Sequence, residues 1–281
     1  MTNRRNFLGA GAASALALAP MMDAQSAGKP TNAGKSTVKL GIASYSFREF
    51  SRNNAIRMTK MLGVEFLNIK EFHLLYRSTP EELARGRKQF ESAGLKNVGG
   101  GTISFHKEDD ADIRFYFDYA KNAGMPLIVA APTTRVLPML EKFVKEYDIK
   151  IAVHNHGPED KYFPSIRDAL KLMKGMDPRM GVCCDIGHES RSGNDILESM
   201  EIAGPRLLDV HMKDLKDPMG KSSQVPVGDG VLPIVAIFKL LMKMNYQGYA
   251  NLEYEIDGHD PYLGMARSFA YMRGVLAGLN G

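Results

Sequence analysis

All seven histidines of the 281-residue chain stand at or just after short apolar runs that have the composition of β-strands. They are His73, His106, His154, His156, His188, His211 and His259. If the strands are parallel and closed into a barrel, their carboxyl ends meet on one face, where barrel enzymes place their chemistry. Neutral imidazoles bind transition metals and transfer protons near neutral pH. The pattern therefore predicts one histidine-rich face with metal or acid/base chemistry.

Side-chain alternation selects four polar residues as a set of metal ligands. Successive side chains of a strand point to opposite faces, so the seventh strand should turn Leu208 toward the helices and His211 toward the barrel interior. The same reasoning turns His154, Asp185 and Glu253 inward on the fifth, sixth and eighth strands. Two imidazoles and two carboxylates suit one divalent ion such as Mn, Co, Zn or Fe. The alternative is a buried hydrogen-bonded network without a metal, which is disfavoured because unpaired buried charge is costly.

Other polar residues near the strand ends are candidates for proton transfer and for substrate contacts. A metal at the four ligands would chelate a carbonyl and an adjacent hydroxyl and stabilise an enediolate, while a base removes the proton next to the carbonyl. The candidate catalytic residues are His188, Lys70, Glu255 and His156, and the candidate substrate contacts are Arg191, Lys213 and His73. For Lys70 an exposed surface position is an equal alternative. Arg191 and Lys213 could instead form rim salt bridges of little consequence.

The elements that must position these residues follow one pattern, repeated eight times: a short apolar, β-branched run and then a helix-like segment. The strand-like runs are Val38–Tyr45, Val64–Lys70, Lys96–Ile103, Leu127–Ala131, Ile149–His154, Gly181–Ile186, Leu207–Met212 and Tyr249–Glu255. The capping box and first-turn proline of Thr79-Pro80-Glu81-Glu82 open a helix that ends at Gly94. Helix-like patterns also cover Asp109–Gly124, Leu137–Tyr147, Ser165–Met173, Asn194–Ala203, Leu232–Met244 and Leu263–Ala277. The repeat predicts an α/β protein with a single (β/α)8 TIM barrel over residues 37–281. An open doubly wound sheet is the alternative, but no glycine-rich phosphate turn follows the first strand.

Composition excludes several other classes of protein. The chain is 44% hydrophobic and 24% charged, which is typical of a globular protein. Lys and Arg number 36 against 32 Asp and Glu, with no long basic run, so we expect no nucleic-acid partner. The two cysteines, Cys183 and Cys184, are adjacent on one strand and therefore predict neither a disulfide nor a CxxC metal site. The oligomeric state cannot be read from the sequence.

The first 27 residues are typical of an export signal. Arg4-Arg5-Asn6-Phe7-Leu8 precedes a short run of small apolar residues and then a polar stretch, which resembles a bacterial twin-arginine signal. The run is too short to span a bilayer, so we expect no membrane span. A basic N-terminal helix is the alternative. We expect residues 1–27 to be the signal, residues 28–36 a flexible lead-in, and the location of the protein to be the periplasm.

Five motifs after the signal resemble, in order, those of the sugar phosphate isomerase/epimerase family, whose members have a xylose isomerase-like barrel. They are Ile151-Ala-Val-His-Asn-His-Gly157, Cys184-Asp-Ile-Gly-His188, Asp209-Val-His-Met-Lys-Asp214, Val227-Gly-Asp-Gly230 and Leu252-Glu-Tyr-Glu255. The resemblance covers the whole chain after the signal. It implies a small-molecule carbohydrate substrate, metal binding by Asp185, His211 and Glu253, and a substrate contact by His188.

Two positions depart from the family pattern. His154 stands where many members have a glutamate, which in ketose epimerases is both a metal ligand and the base. An imidazole can bind a metal, but it does not simply take over the proton transfer of a carboxylate. Gly228-Asp229-Gly230 carries an acid where a phosphate site would suit a basic residue. The sequence therefore favours an unphosphorylated sugar or a glycoside.

The sequence predicts a metal-dependent enzyme that abstracts a proton next to the carbonyl of a sugar, as isomerases and epimerases do. The alternative is a lyase or dehydratase that eliminates a β-substituent from a 3-keto-sugar or 3-keto-glycoside. A sugar-binding protein without turnover is less favoured. An AP-endonuclease-like enzyme is also less favoured, because it would need a multi-metal cluster and a basic groove.

Overall fold

A computed structural model describes residues 38–281. The predicted export signal over residues 1–27 and the predicted lead-in over residues 28–36 lie outside the described residues. Within the described part of the chain, no helix has both the length and the hydrophobicity needed to cross a bilayer.

Eight parallel strands close into a barrel in the order β1-β10-β7-β6-β5-β4-β3-β2, which confirms the predicted fold. The strands are β1 (Lys39–Ala43), β2 (Phe66–Ile69), β3 (Lys96–Phe105), β4 (Leu127–Pro132), β5 (Lys150–His154), β6 (Met180–Asp185), β7 (Leu207–Met212) and β10 (Tyr249–Leu252). A two-stranded antiparallel hairpin, β8 (Asp214–Leu215) and β9 (Gln224–Val225), follows β7 on the same face as the strand ends. All eight predicted strands are therefore present, with ends that differ by a few residues.

Nine α-helices lie between and after the strands in the described residues. They are α1 (Arg52–Met61), α2 (Pro80–Ser92), α3 (Asp110–Ala123), α4 (Leu137–Tyr147), α5 (Ile166–Leu172), α6 (Ile186–Arg191), α7 (Ile196–Ala203), α8 (Ile234–Lys243) and α9 (Tyr262–Asn280). The capping box at Thr79 and Glu82 is formed as predicted. The predictions did not include α1 and α6, because α1 is mostly polar and α6 is too short for a periodic pattern.

One prediction about the barrel interior is wrong. Leu208 was expected to face the helices, but it packs against the apolar cluster inside the barrel, which contains Val129, Ala152 and Cys183. The register between β6 and β7 shifts at this point, so that Val182 pairs with Leu207 and the next residue of β6 pairs with Asp209. The extra residue is a β-bulge that turns Leu208 inward. Both cysteines are free thiols, and both are buried.

The loop that follows β9 is arranged around the carboxylate of Asp214 in β8. This carboxylate accepts hydrogen bonds from the amides of Leu215, Gly228, Gly230 and Leu232, at 2.9 to 3.1 Å. A Cβ atom at Gly230 would lie 2.2 Å from Asp214 Oδ1, so this position requires glycine. The Gly228-Asp229-Gly230 motif therefore closes a loop of the protein around an internal carboxylate.

Candidate active site

The four predicted ligands meet at the carboxyl ends of neighbouring strands. His154 ends β5, Asp185 ends β6, His211 lies on β7, and Glu253 follows β10 directly. One ligand atom from each residue lies within 4.8 Å of the other three. His154 Nε2 is 2.9 Å from His211 Nδ1, 3.7 Å from Asp185 Oδ2 and 3.9 Å from Glu253 Oε2. His211 Nδ1 is 3.1 Å from Glu253 Oε2.

These spacings fit a single metal ion. Ligand atoms that bind one ion at about 2.1 Å in a tetrahedral arrangement lie roughly 3.4 Å apart, close to the distances between these residues. The facing nitrogens of His154 and His211 can share only one proton, whereas an ion accepts both lone pairs. Every metal-capable group found in residues 38–281 contains both His154 and His211, so this part of the chain has no separate second cluster.

Asp185 is held in place by hydrogen bonds to its side chain and to its backbone. Its Oδ1 accepts the amide hydrogen of His188 at 2.8 Å and thereby caps α6, while Oδ2 faces the other ligands. The Asn155 side chain brackets the backbone of Asp185: its amide donates to the Asp185 carbonyl and its oxygen accepts from the Asp185 amide. Asn155 donates in turn to the buried carboxylate of Glu189. Asn155 and Glu189, which orient this ligand, were not among the site residues predicted from the sequence.

Two buried lysines balance the charge of the carboxylates. Lys213 Nζ lies 2.8 Å from Asp185 Oδ2, 3.4 Å from Glu253 Oε2 and 2.5 Å from Glu255 Oε2. Lys70 Nζ lies 3.5 Å from Glu253 Oε1, and its side chain is buried rather than on the surface. Burial opposes ionisation of Glu253, but His211, Lys213 and Lys70 lower its pKa well below the ordinary value. The site therefore holds ionised carboxylates, which is the state that binds metals.

A cavity of about 270 Å³ opens above the ligands. His154 and Glu253 form part of its floor, and the aromatic side chains of Tyr45, Phe72 and Tyr76 form the opposite wall. The Tyr45 and Phe72 rings pack at 5.8 Å between centroids. A wall of aromatic faces beside a polar floor is the arrangement of many small-molecule sites.

His156 has a fixed orientation and a free ring nitrogen. Its Nδ1 lies 3.3 Å from Asp160 Oδ2, four residues later. Burial opposes ionisation of Asp160, but hydrogen bonds from His156 and from the amides of Tyr162 and Phe163 lower its pKa. An ionised carboxylate accepts the Nδ1 hydrogen, so the lone pair of the neutral ring lies on Nε2. His156 lines the cavity, and Nε2 is the ring nitrogen that can accept a proton.

His188 has the opposite arrangement. Its Nδ1 lies 3.1 Å from Arg191 Nη1. A guanidinium can only donate, so Nδ1 accepts and the hydrogen of the neutral ring lies on Nε2. Burial lowers the pKa of His188, which favours the neutral ring. His188 therefore has a hydrogen-bond donor for the cavity, which suits its predicted substrate contact rather than its predicted role as a base.

Arg191 contacts protein groups around His188. It pairs with Glu159 and is itself almost fully buried. Lys213 holds Glu255, whose carboxylate lies at the edge of the cavity. Both basic residues predicted to contact substrate thus take part in ion pairs at the site, and both of these pairs include a buried partner, unlike the surface pairs considered as the alternative.

Three histidines lie apart from this cluster. His73 is buried beside the first strand, where its Nε2 donates to the Phe50 carbonyl and its Nδ1 accepts from Ser44 Oγ. Both nitrogens are thus occupied by the protein, and His73 is not among the residues that line the cavity, contrary to its predicted contact with substrate. His106 and His259 are exposed.

Sequence reasoning missed further residues that complete the site. Gln224 of the hairpin donates to the Glu253 carbonyl at 2.8 Å and accepts from the Glu255 amide at 3.1 Å, which holds both residues beyond the end of β10. Asp160 had a detectable signal, since it lies four residues after His156. Gln224 had none, because it meets this segment only in the folded chain.

Comparison with known proteins agrees with this architecture. A segment of 75 residues is 36% identical to the "Putative L-ribulose-5-phosphate 3-epimerase SgbU" of Escherichia coli (strain K12) and covers 25% of this chain and 26% of that protein. A segment of 138 residues is 28% identical to the inosose dehydratase of Clostridium tetani (strain Massachusetts / E88) and covers 43% of this chain and 45% of that protein. The chain thus matches less than half the length of these relatives.

Solved structures support the fold. The crystal structure of the IolI protein with a bound zinc atom matches with a TM-score of 0.70 at 16% identity, over 86% of this chain and 99% of that one. Residues 79–275 match the family described as Xylose isomerase-like TIM barrel. The closed barrel, the order of its strands and this match together show that the chain belongs to the xylose isomerase-like TIM barrel family.

Proposed function

We propose that this protein is a divalent-metal-dependent enzyme that removes a proton next to the carbonyl of a sugar. One observation carries the proposal. Four ligand atoms from His154, Asp185, His211 and Glu253 lie within 4.8 Å of one another beneath a cavity whose wall holds the Asp160-oriented base His156. Zinc in a structural neighbour and sugar-related relatives agree with it.

The proposed ligands are the four residues named above. When bound, the ion supplies a Lewis acid that stabilises negative charge on a substrate oxygen. Lys70 adds a positive charge at the cavity floor, 3.5 Å from Glu253. The aromatic wall of Tyr45, Phe72 and Tyr76 orients an apolar face of the sugar ring.

Proton transfer is assigned to His156. Its Nε2 lone pair takes the proton from the carbon next to the carbonyl, and the Asp160 carboxylate stabilises the resulting imidazolium. The Nε2 hydrogen of His188 donates to a substrate oxygen on which charge develops. Glu255, another predicted base, is held 2.5 Å from Lys213 Nζ and is therefore less available. Return of the proton to a carbon completes an isomerisation or an epimerisation.

Elimination is the second candidate reaction. It is favoured by the likeness to inosose dehydratases and by His154, which replaces the carboxylate that the family pattern places on the fifth strand. In this reaction the first proton transfer is the same, but the electron pair of the C–H bond forms a C=C bond and expels a group from the next carbon.

Mass spectrometry in deuterated water tests the proposal. We expect the protein loaded with Zn²⁺, Mn²⁺ or Co²⁺ to incorporate one deuterium into a keto-sugar from a panel of ketoses, inososes and 3-keto-glycosides, and to lose this activity with a chelator. Release of a β-substituent would identify the elimination. Ion binding without exchange or product formation on any of these substrates would instead support a sugar-binding protein without turnover.

We also propose that the chain is exported in its folded state to the periplasm. The support is the Arg4-Arg5-Asn6-Phe7-Leu8 sequence before a run of small apolar residues. Substitution of both Arg4 and Arg5 by lysine should retain the protein in the cytoplasm of the bacterium, as measured by cell fractionation. Unchanged export of the double variant would exclude a twin-arginine route.

A further inference from the structure

A second cavity of about 480 Å³ adjoins the first on the same face of the barrel. The two cavities share three lining residues, His156, His188 and Glu255, which form the boundary between them. A substrate atom that reaches the His156 base therefore has space on both sides. The proposed proton abstraction from a single sugar ring uses only the first cavity and leaves the second unexplained.

The wall of the second cavity combines charges of both signs. Glu159 pairs with the buried guanidinium of Arg191, and Lys221 Nζ lies 3.7 Å from the same carboxylate. Gly157 leaves room for this arrangement, since a Cβ atom there would lie 3.1 Å from Arg191 Nη1 and 3.3 Å from His188 Nδ1. Each cation of this wall, Arg191, Lys213 and Lys221, is paired with a carboxylate, so none of them is left unpaired for a phosphate. Fixed donors beside fixed acceptors match the hydroxyl groups of a neutral sugar instead. The second cavity is thus suited to an uncharged polyol.

On the basis of the proposed function, we infer that the second cavity binds the leaving group of a keto-glycoside and that the substrate has two rings. The ring in the first cavity carries the ketone. His156 takes the proton from the carbon between the ketone and the glycosidic carbon. The electron pair of that C–H bond forms a C=C bond, and the bond from the glycosidic carbon to oxygen breaks.

His156 both removes the proton and returns it, so the reaction needs no second acid. His156 lines both cavities, so the proton that it removes is delivered to the leaving oxygen, which departs as the alcohol of the second ring. The products are an unsaturated ketone and a free sugar or other polyol. No oxidant or reductant is consumed, because the substrate arrives with its ketone already formed.

The experiment compares two substrates that share the reacting ring. One is a 3-keto-disaccharide, and the other is the methyl 3-keto-glycoside of the same sugar. We expect the metal-loaded protein to have a kcat/KM at least 30-fold higher for the disaccharide. Ser222→Trp, which places an indole into the second cavity, should lower this ratio at least tenfold. Lys221→Ala should lower it by a smaller factor and tests the same wall without added bulk.

Lys216→Trp is the matched control, because Lys216 is exposed on the same segment and is not a lining residue of either cavity. It should keep the wild-type ratio. Equal kcat/KM values for both substrates, or an unchanged ratio in both cavity variants, would overturn the two-ring inference alone. If neither substrate exchanges its C–H proton with deuterated water and neither releases its alcohol, the proposed function is overturned together with this inference.

Discussion

The two halves of the barrel rim have different chemistry. The half built by β5, β6, β7 and β10, the late half, carries the four candidate ligands and the two oriented imidazoles, His156 and His188. The half built by β1 to β4, the early half, carries Tyr45, Phe72 and Tyr76, and its buried charge is Lys70. In the proposed function, the first half binds an ion and moves a proton, and the second half holds the sugar ring.

The histidines show what decides this difference. In the early half, His73 has both nitrogens bonded to Ser44 and Phe50 and so has no free group for chemistry. In the late half, each oriented imidazole uses one nitrogen to bind the protein and leaves the other for the cavity. A histidine contributes to a site through the nitrogen that the protein leaves free, whatever its distance from the strand end.

Removal of a ligand should have the largest effect. His211→Ala is expected to lower metal affinity by more than about 100-fold, because even loss of a supporting partner of a ligand commonly costs 10- to 100-fold. Metal content after dialysis, measured by plasma mass spectrometry, checks this. His106→Ala, at the exposed end of β3, should retain one ion per chain. Full metal content in His211→Ala would show that the ion does not depend on the ligands of the late half.

Removal of the base should be nearly as severe but should leave the ion in place. His156→Ala is expected to lower kcat by about 10²- to 10⁴-fold, the usual contribution of a general base. Asp160→Asn should lower kcat by a smaller factor, because the ring loses its fixed tautomer. Deuterium exchange rates and metal content, measured on the same samples, separate the two roles. Exchange at the wild-type rate in His156→Ala would assign the base elsewhere.

Lys213 links the charge of the late half to stability. Without an ion, Lys213→Met leaves Asp185, Glu253 and Glu255 without their shared cation and should lower the free energy of unfolding by about 3 kcal/mol. Zn²⁺ should restore part of this loss, so the stabilisation by metal should be greater in the variant than in the wild type. Urea unfolding with chelator and with Zn²⁺ measures both values. Lys216→Met is the exposed control, and equal metal stabilisation in all three proteins would contradict the expectation.

His73 should affect acid stability and leave chemistry unchanged. Burial lowers its pKa from 6.5 to about 4. The unfolded chain therefore takes up a proton below pH 6.5 while the folded chain does not until about pH 4, so the stabilisation by the neutral ring is present above pH 6.5 and is lost as the pH falls. Between pH 7 and pH 5 the wild type should lose about 2 kcal/mol more than His73→Gln.

Urea unfolding at the two pH values checks this expectation, and His106→Gln should behave as the wild type does because His106 is exposed. An equal pH dependence in the wild type and in His73→Gln would show that the buried ring does not carry the effect.

The aromatic wall should give the smallest effect. Phe72→Ala removes a ring that packs on Tyr45 and should raise KM about three- to tenfold, with little change in kcat or metal content. Phe115→Ala is a matched control, since Phe115 and Phe72 are 42% and 44% exposed and Phe115 lies outside the cavity lining. A large fall in kcat in Phe72→Ala would show that the early half takes part in the chemical step and not only in substrate binding.

Much of the fold and part of the site could be predicted from the sequence. Apolar runs located all eight barrel strands, and alternation turned His154, Asp185, His211 and Glu253 inward, because both patterns follow from the geometry of a single strand. The prediction failed at Leu208, where a bulge changes the side that the residue faces. It also failed for α6, which begins at the cap formed by Asp185 and carries His188 and Arg191 into the site.

The sequence by itself therefore determined the barrel and the strand positions from which four ligands converge, since neighbouring parallel strands bring residues of equal height together. Only the tertiary structure decided the tautomers of His156 and His188 and the presence of two adjoining cavities. The tautomers are set by Asp160, which lies in a loop, and by Arg191, which ends the short helix α6. The positions of these two residues depend on contacts between distant parts of the chain, and the local pattern of apolar residues does not determine such contacts.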